Sequence, residues 1–267
     1  MKMSKHTGVV AVALTVFTAG AAWAQIQGVI TTPEGRKIEG TIKWNARDKA
    51  YGITAKGGNI ELSMAPDNIS DLQIPRPKEL DAAIANVQSG NAAAAVPVLE
   101  KLANDYLMLQ WDKAATRYLA EAYVKSGAPD KAIRVCEKVI AANPEAAYLG
   151  EMAPAYWQAL LKSDRVSKVD DLVTKAIKSG DRLASASALI MRGDVILAAG
   201  DTNDNAKKAL RDGYLRVVTL YKSEKAAQPE ALYKAAKCFE KLGQSARADQ
   251  MRTTLKGEHA TSEWARK

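Results

Sequence analysis

Apolar and polar positions follow two different periods along this chain, and the change falls at Pro75-Arg76-Pro77. Before it, Ile38, Gly40, Ile42 and Trp44 alternate with Glu39, Thr41 and Lys43, which gives a strand one buried and one wet face. Strand-like runs also occupy Ile26 to Thr31, Ala50 to Lys56, Asn59 to Met64 and Ile69 to Ile74. Pro33-Glu34-Gly35, Asn45-Ala46-Arg47-Asp48, Gly57-Gly58 and Pro66-Asp67-Asn68 supply turns between them. Five short strands predict a small, strongly bent barrel over residues 25–77. Proline can neither donate to a ladder nor continue a helix, so the double-proline motif ends the sheet. Beyond it Ala, Leu, Lys and Glu dominate, apolar residues recur at helical spacing, and no strand pattern returns.

The helical part repeats. A small residue stands seven positions before a glycine at Ala83/Gly90, Ala120/Gly127, Gly193/Gly200 and Ala236/Gly243. Three of these units place alanine five positions beyond the glycine, at Ala95, Ala132 and Ala248. The interval between Ala120 and Gly193 is about twice the others, which predicts a degenerate unit over Tyr156 to Ile177 without its glycine. Small residues let two antiparallel helices approach, and glycine ends the first helix in a left-handed conformation. One helix pair cannot bury its apolar stripe alone, so pairs must stack.

Leu119-Ala120-x-x-Tyr123, Gly127, Ala132-x-x-x-Cys136 and closing Pro144 resemble a tetratricopeptide repeat, as do Leu232-x-x-Ala235-Ala236-x-x-Phe239, Gly243 and Ala248. Ala82-Ala83 through Gly90, Ala95 and Leu99 fits the same pattern. Departures are Thr116 where tryptophan is usual, Arg252 where a large apolar residue is usual, and the insertion Asp201-Thr202-Asn203-Asp204-Asn205. The strand order of the first part resembles SH3-like or Sm-like barrels. The expected fold is therefore α+β in two domains: an all-β, barrel-like domain and then an all-α solenoid of about five helix pairs over residues 78–258. Residues 259–267 are expected to form a frayed tail.

The resemblance implies a curved stack whose first helices line a concave groove able to hold a peptide or helix. It makes Arg117, Glu121 and Lys125, with Tyr233, Lys237 and Lys241, the candidate partner-binding residues, suited to clamping a peptide carboxylate or acidic side chains. The competing expectation is that these residues form charge pairs with one another in water. Trp111, Trp157 and the other tyrosines are expected in the core.

The chain begins with Lys2 and Lys5, an apolar run from Gly8 to Phe17, and Ala22-Trp23-Ala24, the pattern of a secretory leader cut after residue 24. Thr18 and Gly20 interrupt a run too short for a membrane span, which needs about 20 apolar residues. The mature chain is then expected in the cell envelope, a periplasm in a Gram-negative-type bacterium. It carries 36 basic and 30 acidic side chains. Residues 25–77 contribute seven bases and six acids, and the rest are interspersed by sign. A nucleic-acid surface would cluster its bases on one face, so none is expected. The composition, 47% hydrophobic and 25% charged, is that of a folded globular protein.

With two histidines (His6 in the leader and His259 near the end) and two cysteines, hydrolytic triads and cysteine-rich zinc modules are excluded. No phosphate loop, nucleophile elbow or zinc-protease helix occurs. Cys136 and Cys238 are expected as separate core residues. Asp170-Asp171 is read as solvated surface. Asp201-x-Asn203-x-Asn205 with Asp212 partly imitates a calcium loop, but Ala206 stands where glycine must turn, so helix capping by the Asp or an Asn is expected instead. No catalytic, cofactor or metal site is predicted. The expected function is a non-enzymatic scaffold for a partner protein or peptide. A wall- or glycan-binding role for the β-domain, with an exposed trough at Trp44 or Tyr51, and a self-associating subunit are the alternatives.

Overall fold

The structure, a computed structural model, describes residues 26–267; the leader expected over residues 1–24 lies outside them. Strands β1 (Ile26–Thr31), β2 (Lys37–Asn45), β3 (Ala50–Ala55), β4 (Glu61–Met64) and β5 (Asp71–Gln73) form one antiparallel sheet in the order β4-β3-β2-β1-β5. The register places Ile26 opposite Ile42 and Ile30 opposite Ile38, so the alternation read from the sequence becomes one apolar face. Gly40 is required there, because a Cβ would lie 2.1 Å from the Thr54 carbonyl oxygen of β3. Ile30, Ile42 and Ile53 are fully buried on that face.

Five helix pairs follow. They are α1 (Lys78–Gln88) with α2 (Ala92–Asp105), α3 (Asp112–Lys125) with α4 (Pro129–Ala142), and α5 (Ala153–Lys162) with α6 (Val166–Lys178). The fourth pairs α7 (Arg182–Ala198) with a broken helix made of α8 (Asn203–Ala209), a π-helical turn (Leu210–Tyr214) and α9 (Leu215–Leu220). The fifth pairs α10 (Gln228–Lys241) with α11 (Ser245–Glu258). Among the described residues no helix is long and apolar enough to cross a membrane.

The turns explain the repeat. After α3, Gly127 has φ +73°, its N–H donates to the Val124 carbonyl, and the next N–H, of Ala128, donates to the Tyr123 carbonyl at 2.8 Å. Gly243 repeats this after α10 with φ +70°, and Gln244 N–H reaches the Phe239 carbonyl at 2.9 Å. Both are the paired closing bonds that finish a helix through a left-handed residue. The degenerate unit uses the same device without glycine. Asp164 takes φ +56°, and Arg165 N–H donates to the Leu160 carbonyl at 2.9 Å. Aspartate is among the few side chains that tolerate this region.

The segment joining α2 to α3 belongs to both parts of the fold. Leu109, 1% exposed, sits among Ile26, Ile30, Ile42, Tyr51, Ile53 and Ile74, so the sheet's apolar face closes on a residue from the helical half. Tyr51 Oη donates to the Met108 carbonyl at 3.0 Å, Trp111 Nε1 to the Ile74 carbonyl at 2.8 Å, and Ile74 N–H to Gln110 Oε1 at 3.0 Å. Met108 and Gln110 take φ +59° and +69° to make the turn. Asp112 holds it from below, its Oδ2 accepting from Met108 N–H at 2.9 Å. Burial raises the Asp112 carboxyl above its ordinary pKa, partly offset by that bond.

Candidate partner-binding face

Packing decides which helices face inward. In the first four pairs, first helices pack on the first helix of the next pair, α1 on α3, α3 on α5 and α5 on α7, while second helices make no comparable contact with one another; α10 packs on the broken helix of the fourth pair. A stack tight on one side and open on the other curves toward the tight side, so the first helices line the concave face.

Arg117 and Glu121 meet on that face. Arg117 Nε donates to Glu121 Oε1 at 2.9 Å, one turn apart on α3, and the guanidinium lies 4.8 Å from the Tyr118 ring centre. Burial raises the Glu121 carboxyl, with Arg117 opposing it. Burial alone would lower Arg117, but Glu121, helped by Tyr118 and Glu151, raises it and the guanidinium stays charged. Lys125 turns toward the neighbouring repeat, its Nζ donating to the Val87 carbonyl at the end of α1 at 2.9 Å. Lys241 does the same three repeats on, donating to the Asp201 carbonyl at 3.0 Å and pairing with the Asp201 carboxylate. The two lysines join consecutive pairs, and their shared position, five residues past Ala120 and Ala236, is the sequence signal for it. Lys237 is exposed, with Glu240 at 3.6 Å.

Tyr233 is half-buried against Trp264, ring centres 5.3 Å apart. Around it lies a cluster that periodicity did not reveal. Asp194 on α7 accepts from Tyr214 Oη at 2.8 Å and from Lys234 Nζ at 2.6 Å. Lys234 also reaches Glu230 at 2.5 Å. Asp194 and Lys234 side chains are only 12% and 18% exposed. Burial drives the Asp194 carboxyl upward against the pull of Lys234. Burial would lower Lys234, yet Glu230 and Asp194 together raise it, so the ammonium is held in place by two carboxylates. Tyr214 reaches this site because the π-helical turn swings it against Gly193, where a Cβ would lie 2.5 Å from its ring.

The segment expected to fray is folded. Ser262 Oγ accepts from Ala265 N–H, capping a 3₁₀ turn over Glu263–Arg266 that packs on α10 and α11. Trp264 lies 5.7 Å from Lys234 Nζ, and Lys267 Nζ lies 3.5 Å from the centre of its ring. Glu263 is close enough to act electrostatically on Tyr118 and Glu121 across the face, pushing both upward.

The architecture and the fifth pair meet in one comparison. Residues 230–262 match the family model of the tetratricopeptide repeat. That stretch is similar to a tetratricopeptide repeat. It spans α10, α11 and the start of the capped turn, and it contains Tyr233, Lys234, Lys237 and Lys241. Two solved structures of nearly identical TPR-like repeats from a Podosopora anserina putative kinesin light chain, one carrying a point substitution, are similar to this chain. The first shares 19% identity over 68% of this chain and 94% of that chain, with a TM-score of 0.39. The substituted form shares 20% over 69% and 95%, with a TM-score of 0.35. No curated protein matches the chain.

The remaining chemical candidates are engaged elsewhere. Cys136 and Cys238 are free and buried, and burial pushes their thiols up to about 12 and about 11. Asp201 pairs with Lys241, Asp212 with Arg211, and Asn205 Nδ2 with the Gly200 carbonyl. The cap of α8 is Thr202, which accepts from Asn205 N–H, and not the Asp or Asn expected. No group of three metal-ligating side chains gathers among the described residues. Asp170 and Asp171 are exposed. Trp157 and Tyr156 are core residues, and Trp111 is half-buried at the junction with the sheet. Tyr51 is 8% exposed with its hydroxyl donated, so it offers nothing to a surface trough.

Proposed function

We propose that this chain is an exported, non-enzymatic scaffold that holds a partner protein or peptide in the cell envelope on the concave face of its helical stack. Export rests on the leader-like residues 1–24. The partner reading rests on one observation: α1, α3, α5 and α7 pack in succession, α10 joins α7 through Lys234 and Asp194, and this side of the stack presents Arg117, Tyr118, Glu121, Tyr233 and Lys237 as half-buried or exposed polar and aromatic side chains. Such a face suits an extended or helical segment, whose anchors would meet aromatic and charged groups in turn. A tetratricopeptide repeat at residues 230–262 accords with protein binding.

Site-specific crosslinking tests it. A photo-reactive side chain placed at Lys237, on the inner face, should capture a discrete protein in cells. The same group at exposed Lys138 on α4, on the outer layer, should not. Capture from Lys138 alone would move the working surface outside and overturn the reading. The mass of the chain recovered from the envelope, shortened by residues 1–24, checks export.

A further inference from the structure

The inner face is already occupied at one end, and the occupant shows what chemistry it accepts. Three carboxylate and ammonium groups stand together under the 3₁₀ turn, with two negative charges on Asp194 and Glu230 against one positive on Lys234. The site is therefore one positive charge short. Lys267 brings its ammonium to the aromatic edge of this cluster, 3.5 Å from the Trp264 ring centre and 6.0 Å from that of Tyr233. Trp264 fills the apolar ground between Tyr233 and the Lys234 stem, an arrangement in which ring and cation stabilise each other. Nothing in the helix repeat requires these contacts, since the apolar stripe of α11 is already satisfied through Ala248 and Leu255.

We infer that the surface formed by Tyr233, Lys234, Asp194 and Glu230 is a receptor for an aromatic side chain accompanied by a basic one, and that Ser262–Lys267 is its internal ligand. The inference rests on the inner face being the partner-binding face. The partner segment it fits presents tryptophan or another large aromatic residue with a lysine or arginine close by, and it binds by displacing the chain's own turn. A tethered ligand competes at an effective concentration of order millimolar, so the free site is the tighter one.

The test uses the full chain and a labelled peptide of residues 259–267, HATSEWARK. Trp264→Ala empties the site while leaving the repeat helices in place, which far-ultraviolet dichroism and a thermal melt check. The peptide should bind the Trp264→Ala chain about tenfold or more tightly than the native chain, and a peptide with alanine for its tryptophan should bind neither. Lys267→Glu, which keeps the ring and reverses the charge, should release the turn in part and give an intermediate affinity; it also serves if Trp264→Ala unfolds. Equal binding to native and Trp264→Ala chains, or binding to neither, overturns the inference. Crosslinking of a partner from Lys237 combined with no peptide binding would overturn this inference alone and leave the scaffold reading standing.

Discussion

Gly193 looks replaceable and is not. At the equivalent position three of the other units carry Ala83, Ala120 and Ala236, so alanine is the residue the repeat favours. In the fourth pair, however, a Cβ at Gly193 would lie 2.5 Å from Tyr214 Cε1, and that ring is fully buried with its hydroxyl held by Asp194. Gly193→Ala is expected to destabilise the chain by about 1–3 kcal/mol, the usual penalty for forcing extra volume into a packed core, read as a lower denaturation midpoint. Ala120→Gly, the reverse exchange in the second unit, should cost about 1 kcal/mol through helix propensity alone. Asp112 gives the matching electrostatic case. Its carboxyl has a folded pKa raised by burial above the ordinary 3.8. A raised carboxyl favours folding most while protonated, so its contribution is present at low pH and is lost as pH rises through the folded value. Asp112→Asn keeps an oxygen for Met108 N–H and removes the charge. Its stability relative to the native chain should therefore increase between pH 4 and pH 7, measured by denaturant unfolding at both; a difference that shrinks with pH would refute the role given to burial.

At the scale of the elements, the glycine-to-glycine spacing located four of the five pairs, because a left-handed turn demands glycine and announces itself. The third pair kept the turn and lost the letter: Asp164 at φ +56° makes the same closing bonds that Gly127 and Gly243 make. Asp164→Gly should stabilise α5 and α6 by about 0.5–1 kcal/mol, since glycine enters this conformation without the clash of a Cβ. A melt unchanged or lowered would show that Asp164 contributes something beyond its backbone shape. Strand register was equally legible, since the period of two survives in the pairing of β1 with β2. Thr116 was recognisable as a departure from the usual tryptophan, and its consequence is visible only in space. Its hydroxyl is buried without a partner, beside a cleft of about 260 Å³ bounded by Leu107, Leu119, Val135 and Val139. The broken helix of the fourth pair left no sequence trace, because a π-helical turn is set by what Tyr214 and Gly213 pack against and not by local propensity.

For the whole molecule, what the sequence hid was long-range. The family resemblance implied an inner side for the six candidate groove residues, but it did not say that Lys125 and Lys241 spend their ammonium groups on the preceding pair. Nor did it join Asp194, Tyr214 and Lys234, which come from three different elements. The same holds for Leu109. A repeat stack carries its stability mostly between neighbours, so damage at one end need not reach the other. The β-sheet is too small to bury its face unaided, and it borrows Leu109, Tyr106 and Trp111 from the helical half to do so. Leu109→Ala removes the residue on which that face closes and should cost the sheet about 2–5 kcal/mol. Amide exchange in β1–β3 should then accelerate sharply, together with the amides of residues 106–112, while α10 and α11 keep their native protection. That pattern would show that the sheet and the first two helix pairs form one cooperative unit, with the fifth pair folding apart from it. Acceleration spread evenly from β1 to α11 would instead mean that the chain unfolds as a single block.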